Sequence, residues 1–221
     1  SYYFSSHIDL PTLELPPRRI VPLRQRIADY AQLIGGNRPF VSFVSRRFVF
    51  VTGQSFAAPL FPLFYVRVLD APDAAIGLIT TAATASAMIG YTLWVRQSRR
   101  RGSRFVLLCA TLGLALYPIL VSFNRSVELM IGLAALSGIF SAGLNLVFFD
   151  ELMKTVPDEY SATFVSFAQM LSYLSSLVAP LVGTTVATVV GISAGLLIGG
   201  ILNMLGFLLF ALQQDAPPEP A

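Results

Sequence analysis

Residues 105–123 read Phe-Val-Leu-Leu-Cys-Ala-Thr-Leu-Gly-Leu-Ala-Leu-Tyr-Pro-Ile-Leu-Val-Ser-Phe, without one Asp, Glu, Lys, Arg or His. At 1.5 Å per residue, a helix over such a run crosses the ~30 Å hydrocarbon core of a bilayer. Four more stretches, 48–66, 129–149, 161–190 and 191–213, are equally free of those residues. Worked outward to their flanking charges, and with a further apolar run added, they give six spans. These are about 46–68, 73–96, 103–123, 127–151, 160–189 and 192–213. Continuous apolar runs of this length form helices, since barrel strands are shorter and alternate. Composition agrees, with 55% of the 221 residues hydrophobic and 12% charged, about half of the ~25% charged in a soluble domain. The fold class this predicts is all-α integral membrane with six transmembrane helices. The fifth span is long for one crossing, so its first turn around Tyr160–Thr163 lies in the headgroups or the helix tilts.

The basic residues orient these spans. Arg18, Arg19, Arg24, Arg26, Arg38, Arg46 and Arg47 precede the first span. Arg96, Arg99, Arg100, Arg101 and Arg104 lie between the second and third, and Lys154 lies between the fourth and fifth. Only Arg67 and Arg125 fall on the opposite side. The positive-inside rule makes the basic side cytoplasmic, and six crossings then put both termini there. The same bias accounts for a pI near 9.2 through orientation and contact with anionic lipid, with no nucleic acid as partner.

Three regions are expected. Residues 1–45 form a cytoplasmic linker, Pro-rich between Leu10 and Pro22, with a short amphipathic helix carrying Leu23, Ile27, Tyr30 and Ile34 at helical spacing. Residues 46–213 form the six-helix domain, and 214–221 a polar, Pro-rich tail too poor in apolar residues to fold. The chain opens on Ser with no basic and apolar leader, so no signal peptide is expected. Tyr2-Tyr3-Phe4 reads as the last turn of an earlier helix, and the chain as a fragment or one half of something larger.

Catalytic chemistry is scarce. Lys154-Thr155 has no glycine loop before it, which rules out a phosphate-binding P-loop. His7 is the only histidine, so neither a His-based metal site nor a Ser-His-Asp triad is available within the membrane. Cys109 sits in an apolar run as a small packing residue. No metal, no cofactor and no enzyme activity are expected. Small residues recur every fourth position at Ala82/Ser86/Gly90, Ala134/Gly138/Ala142, Ala179/Gly183/Ala187/Gly191 and Gly195/Gly199, a spacing that lets helix backbones approach closely. Pro59, Pro62, Pro118 and Pro180 interrupt three spans and bend them.

Two loops carry a family resemblance. Trp94-Val95-Arg96-Gln97-Ser98-Arg99-Arg100-Arg101-Gly102-Ser103-Arg104 resembles the cytoplasmic loop of major facilitator superfamily transporters, with Arg100, Gly102 and Arg104 matching its Arg-x-Gly-x-Arg part. Val95 stands where that pattern has Gly and Arg99 where it has Asp, so the family's charge latch does not carry over to this position. Phe149 through Thr163, with Val156-Pro157-Asp158-Glu159, is similar to the loop between the tenth and eleventh helices of that family. Ala179-Pro180-Leu181-Val182-Gly183 looks like part of its eleventh helix. The resemblance covers about 38–213 and matches a C-terminal six-helix half, implying two inverted three-helix repeats, a missing N-terminal six-helix half as partner, and a central cavity.

That resemblance makes the first and fourth spans line the cavity. Thr52, Gln54 and Ser55 are the polar candidates in one, and Ser137, Ser141 and Asn145 in the other. Gln54, Ser141 and Asn145 are the expected substrate contacts, the two amides because an amide facing lipid is costly and Ser141 because it shares a helix face with Asn145. Phe56, Phe140 and Phe148 are candidates for apolar contact. Asp150, at the cytoplasmic end of the fourth span, is a candidate gate partner for the Arg cluster at 96–104, the loop whose motif residues are Arg100, Gly102 and Arg104. The function implied is half of a secondary active transporter in the cell membrane, moving a small-molecule substrate by alternating access. A transporter-like protein that senses, binds or scaffolds without transport is the alternative.

Overall fold

The computed structural model describes residues 32–157 and 160–212. His7, the Pro-rich leader, most of the amphipathic stretch over 23–34, Asp158, Glu159 and the tail at 214–221 lie outside the described residues. Residues 32–36 are helical and belong to a first unit that ends at Asn37; a second unit begins at Arg38.

Seven helices build the second unit's described part: α1 (Arg38–Ala57), α2 (Leu60–Arg67), α3 (Asp73–Arg101), α4 (Ser103–Phe123), α5 (Val127–Met153), α6 (Ser161–Val190) and α7 (Ile192–Ala211). α1 and α2 together make one span, so six helical spans are long and apolar enough to cross a membrane among the described residues. α1 starts at Arg38, ahead of the charge-free run that begins at residue 48. Hydropathy marks where charges stop, whereas the helix continues outward on hydrogen bonds that do not depend on them.

The ends follow local chemistry. Asp73 opens α3 directly after an extended Pro72, and Arg99, Arg100 and Arg101 fill its last turn, each sign matching the helix dipole. Ser126 caps α5 by accepting a bond from the Leu129 amide. The α3–α4 and α6–α7 joints each consist of a single glycine, Gly102 and Gly191, at φ 85° and 93°. Left-handed backbone of this kind costs other residues energy that glycine escapes.

These two glycines reveal an internal repeat with an offset of 89 residues (191 − 102). The same offset carries the start of α1 at Arg38 to the start of α5 at Val127. It carries the buried Ala75, Ile79 and Gly90 of α3 onto the buried Phe164, Ala168 and Ala179 of α6. In α4, Val106, Leu107, Ala110, Thr111, Leu114 and Val121 map onto Gly195, Leu196, Gly199, Gly200, Asn203 and Phe210 of α7, all buried. Packing obeys the same exchange. α3 lies along α5 as α6 lies along α1, α4 packs on α5 as α7 packs on α1, and α4 meets α7 at the centre. Each repeat crosses three times, so the second enters from the side opposite the first, as inverted repeats do.

Small residues set these contacts. A Cβ added to Gly138 would collide with the Ala83 carbonyl, and one on Gly183 with the Phe56 carbonyl. Both α3–α5 and α1–α6 are therefore backbone-to-backbone contacts, driven by dispersion and close packing rather than by hydrophobicity.

Candidate functional site

A cavity of about 620 Å³ opens between α1–α2 and α5, with walls from α3 and α4. Gln54, Ser55 and Phe61 line it from the first span and Ser137 and Ser141 from the fourth. The two spans touch little, and this separation leaves the space.

The broken first span puts irregular backbone at the cavity wall. Pro59 and Pro62 lack the N–H groups that would close onto the Ser55 and Ala58 carbonyls, and both of those residues line the cavity. Pro118 stands in the same relation to Leu114, also on the wall. Interruptions of this kind occur in membrane helices where protein or a polar cavity surrounds them. One side is aromatic: Phe61 stacks on Tyr117 at 4.9 Å and 27°, and the Tyr117 hydroxyl lies 3.3 Å from that of Tyr65.

The sequence candidates divide. Gln54, Ser55, Ser137 and Ser141 face the cavity. The Ser137 hydroxyl also donates to the Ala134 carbonyl at 2.8 Å, so its bonding capacity is partly used by its own helix. Asn145 is exposed and stands one turn beyond Ser141, outside the cavity lining. Thr52 turns to α6, with its hydroxyl 2.9 Å from that of Ser175, and Ser55 lies 3.5 Å from Ser176. None of the three proposed phenylalanines lines the cavity. Phe56 packs against Gly183 and Gly199, Phe140 against Gly113 and Trp94, and Phe148 against Phe43, Phe50 and Phe210.

Asn203 was not foreseen. It is 2% exposed, lines the cavity from α7, and its Oδ1 has no hydrogen-bond partner. It reaches the wall because Gly53 opposite carries no side chain: a Cβ there would lie 2.5 Å from Oδ1 and 2.8 Å from the Asn203 amide nitrogen. The signal was available, because Asn203 is the only amide in α7. The cost argument applied to Gln54 and Asn145 applies to it equally.

At the C-terminal end of α5, Asp150 pairs with Lys154 at 3.2 Å. It shares a cleft with Arg99 of α3, but its ion pair with Lys154 is local to its own helix end. The tie between helices runs through Glu151, which accepts from Lys154 at 2.7 Å and from the Ser103 hydroxyl at the first residue of α4; Lys154 also donates to Ser103. A carboxylate at a helix start complements the dipole there. Burial works to lower the Lys154 pKa, but the hydrogen bonds and charges of Glu151 and Asp150 outweigh it and raise it above the ordinary lysine value. Arg100 and Gly102 are exposed, and Arg104 lines a small pocket with Glu151 and Lys154.

A family model described as Major Facilitator Superfamily matches residues 47–221. No curated protein matches the chain with significance.

Proposed function

Because the chain belongs to the Major Facilitator Superfamily of membrane transporters, we propose that it is the C-terminal six-helix half of a secondary active transporter. It moves a small solute by alternating access in the cell membrane, with both ends of this chain cytoplasmic. The observation that carries this reading is the cavity between α1–α2 and α5, polar at Gln54, Ser141 and Asn203 and bordered by proline-broken helices. A solute-sized space with a few convergent polar groups is the usual form of a small-molecule site.

The partner half is supported by burial. Only 17% and 22% of the most apolar windows of α3 and α6 are buried, against 39–50% in the other four spans. These are two of the longest helices, and they leave broad apolar faces for an N-terminal half and lipid to cover. Backbone-to-backbone packing within each repeat favours motion of the half as one body, because tightly packed interfaces shift between discrete arrangements rather than deform.

The test is substrate-dependent flux into vesicles reconstituted with the intact protein. Saturable, counterflow-competent uptake supports transport. Saturable binding with no flux in either direction would instead assign the cavity a sensing or binding role.

A further inference from the structure

The stripe of α1 that lines the cavity continues toward the cytoplasm. Arg47 and Gln54 stand seven residues apart within α1, so Arg47 lies on the same helix face as this cavity residue, though outside the cavity lining itself. Ser141 and Phe148 repeat that spacing on α5. The two stripes meet where the Arg47 guanidinium sits over the Phe148 ring, 5.1 Å from its centroid. Phe148 is three residues inward of Glu151, which is tied to the first residue of α4. Arg47 therefore sits about 4–5 Å inside the cytoplasmic end of the bundle.

Its charge is poorly answered there. One Nη donates to the Gln169 side chain of α6 at a long 3.4 Å, and the buried Nε has no hydrogen-bond partner. No carboxylate pairs with it among the described residues. The cation–π contact compensates part of the desolvation of this half-buried side chain, yet its buried Nε is left one hydrogen bond short, which costs free energy until a partner arrives. The planar fork is the group that best grips an oxyanion with two parallel bonds.

We propose that Arg47 is an anion-recognition residue on the approach to the Gln54 cavity, holding the carboxylate of an amphipathic organic solute whose apolar body extends toward Gln54. The proposal rests on the reading of that cavity as part of a solute path. Seven residues of helix rise, about 10 Å, separate the two levels, which fits an aryl-alkanoic acid better than a small inorganic anion.

The experiment is equilibrium binding of 4-phenylbutyrate and its uncharged amide, 4-phenylbutyramide, to the intact protein in detergent, with and without added phosphatidylglycerol. The acid should bind at least about tenfold more tightly than the amide, as loss of a charge-assisted bond implies. Arg47→Gln should remove the preference, so that acid and amide bind equally. Arg47→Lys should keep part of the preference, because the charge survives and the fork does not. If Arg47→Gln does not fold, the wild-type preference and the Arg47→Lys intermediate decide. Several results would overturn the proposal: no saturable binding of the acid, equal binding of acid and amide, or a preference that survives Arg47→Gln. The last of these, with a lowered melting temperature, assigns Arg47 to a carboxylate elsewhere in the protein. Displacement of the acid by phosphatidylglycerol assigns it to a lipid phosphate and overturns the proposal too. Binding with the expected preference but no flux refutes the transport reading alone and leaves the arginine's role standing.

Discussion

At Gly53 a single hydrogen atom in place of a methyl group lets α7 bring Asn203 to the cavity wall. Gly53→Ala should lower the melting temperature, since the obstructing atoms include the Asn203 backbone nitrogen, which cannot swing away; overpacking of this kind costs about 1–3 kcal/mol. Gly132→Ala is the matched control. Nothing lies within 4 Å of a Cβ there, so the change should leave stability unchanged or raise it by up to about 1 kcal/mol through helix propensity. Both are read by melting of the purified intact protein, and equal melting of the two variants would refute the packing argument. Asn203→Leu tests the unpaired oxygen. A buried polar atom without a partner costs about 1–3 kcal/mol, so leucine should raise the melting temperature, whereas a drop would mean that the amide clamps helices after all. Gln54 and Ser141 were legible as residues of the cavity wall because polarity inside an apolar run is visible in one dimension. Sequence reasoning missed Phe61 and Tyr117 because an aromatic on a cavity wall and one facing lipid look alike in a sequence. It offered Asn145 by the same polarity rule, which fixes a residue's cost but not the direction it faces.

Among the helices, the joint between the start of α4 and the end of α5 has an electrostatic signature. Lys154 has its pKa raised by Glu151 and Asp150 against the opposing effect of burial. A cation with a raised folded-state pKa contributes its full stability below the unfolded value of about 10.4, and that contribution is lost as pH rises through the folded value. Thermal melting should therefore show no loss from this group between pH 7 and 10, and a decline above that. Glu151→Gln removes the charge that holds Lys154 over Ser103 and should flatten the decline. An unchanged alkaline slope in that variant would remove Glu151 from the tie. The lysine side chain is 54% exposed, so solvent screens the pair and the effect is small. The sequence pointed to Asp150 and the arginine loop here. Residues 150 and 151 both end the same helix, and only the rotation of α5 about its axis decides which carboxylate reaches α4. Helix count and order were legible because runs without charge have no alternative in a membrane. The start of α1 at Arg38 was not, because Arg46 and Arg47 interrupt the hydropathy without interrupting the helix.

At the scale of the molecule, the repeat with its 89-residue offset (191 − 102) joins two three-helix units that share burial pattern and joint geometry but little sequence identity. A repeat maintained by which positions are buried leaves the residue types free, so it is not legible as a recurring motif in the sequence. The distribution of basic residues predicts an orientation. Cysteines replacing the exposed Arg101 and Arg125, each in a Cys109→Ser background, should label with an impermeant maleimide from the cytoplasmic and the outer side respectively. The central claim, that the space beside Gln54 belongs to a pathway opening alternately to each side, is tested most directly by one accessibility measurement. Gln54→Cys, as the sole cysteine of the intact protein, is exposed to an impermeant maleimide in right-side-out and in inverted sealed vesicles. Alternating access predicts labelling from both faces, with the two rates shifting in opposite directions when a solute biases the equilibrium. Labelling from one face only, or from neither, would contradict the account.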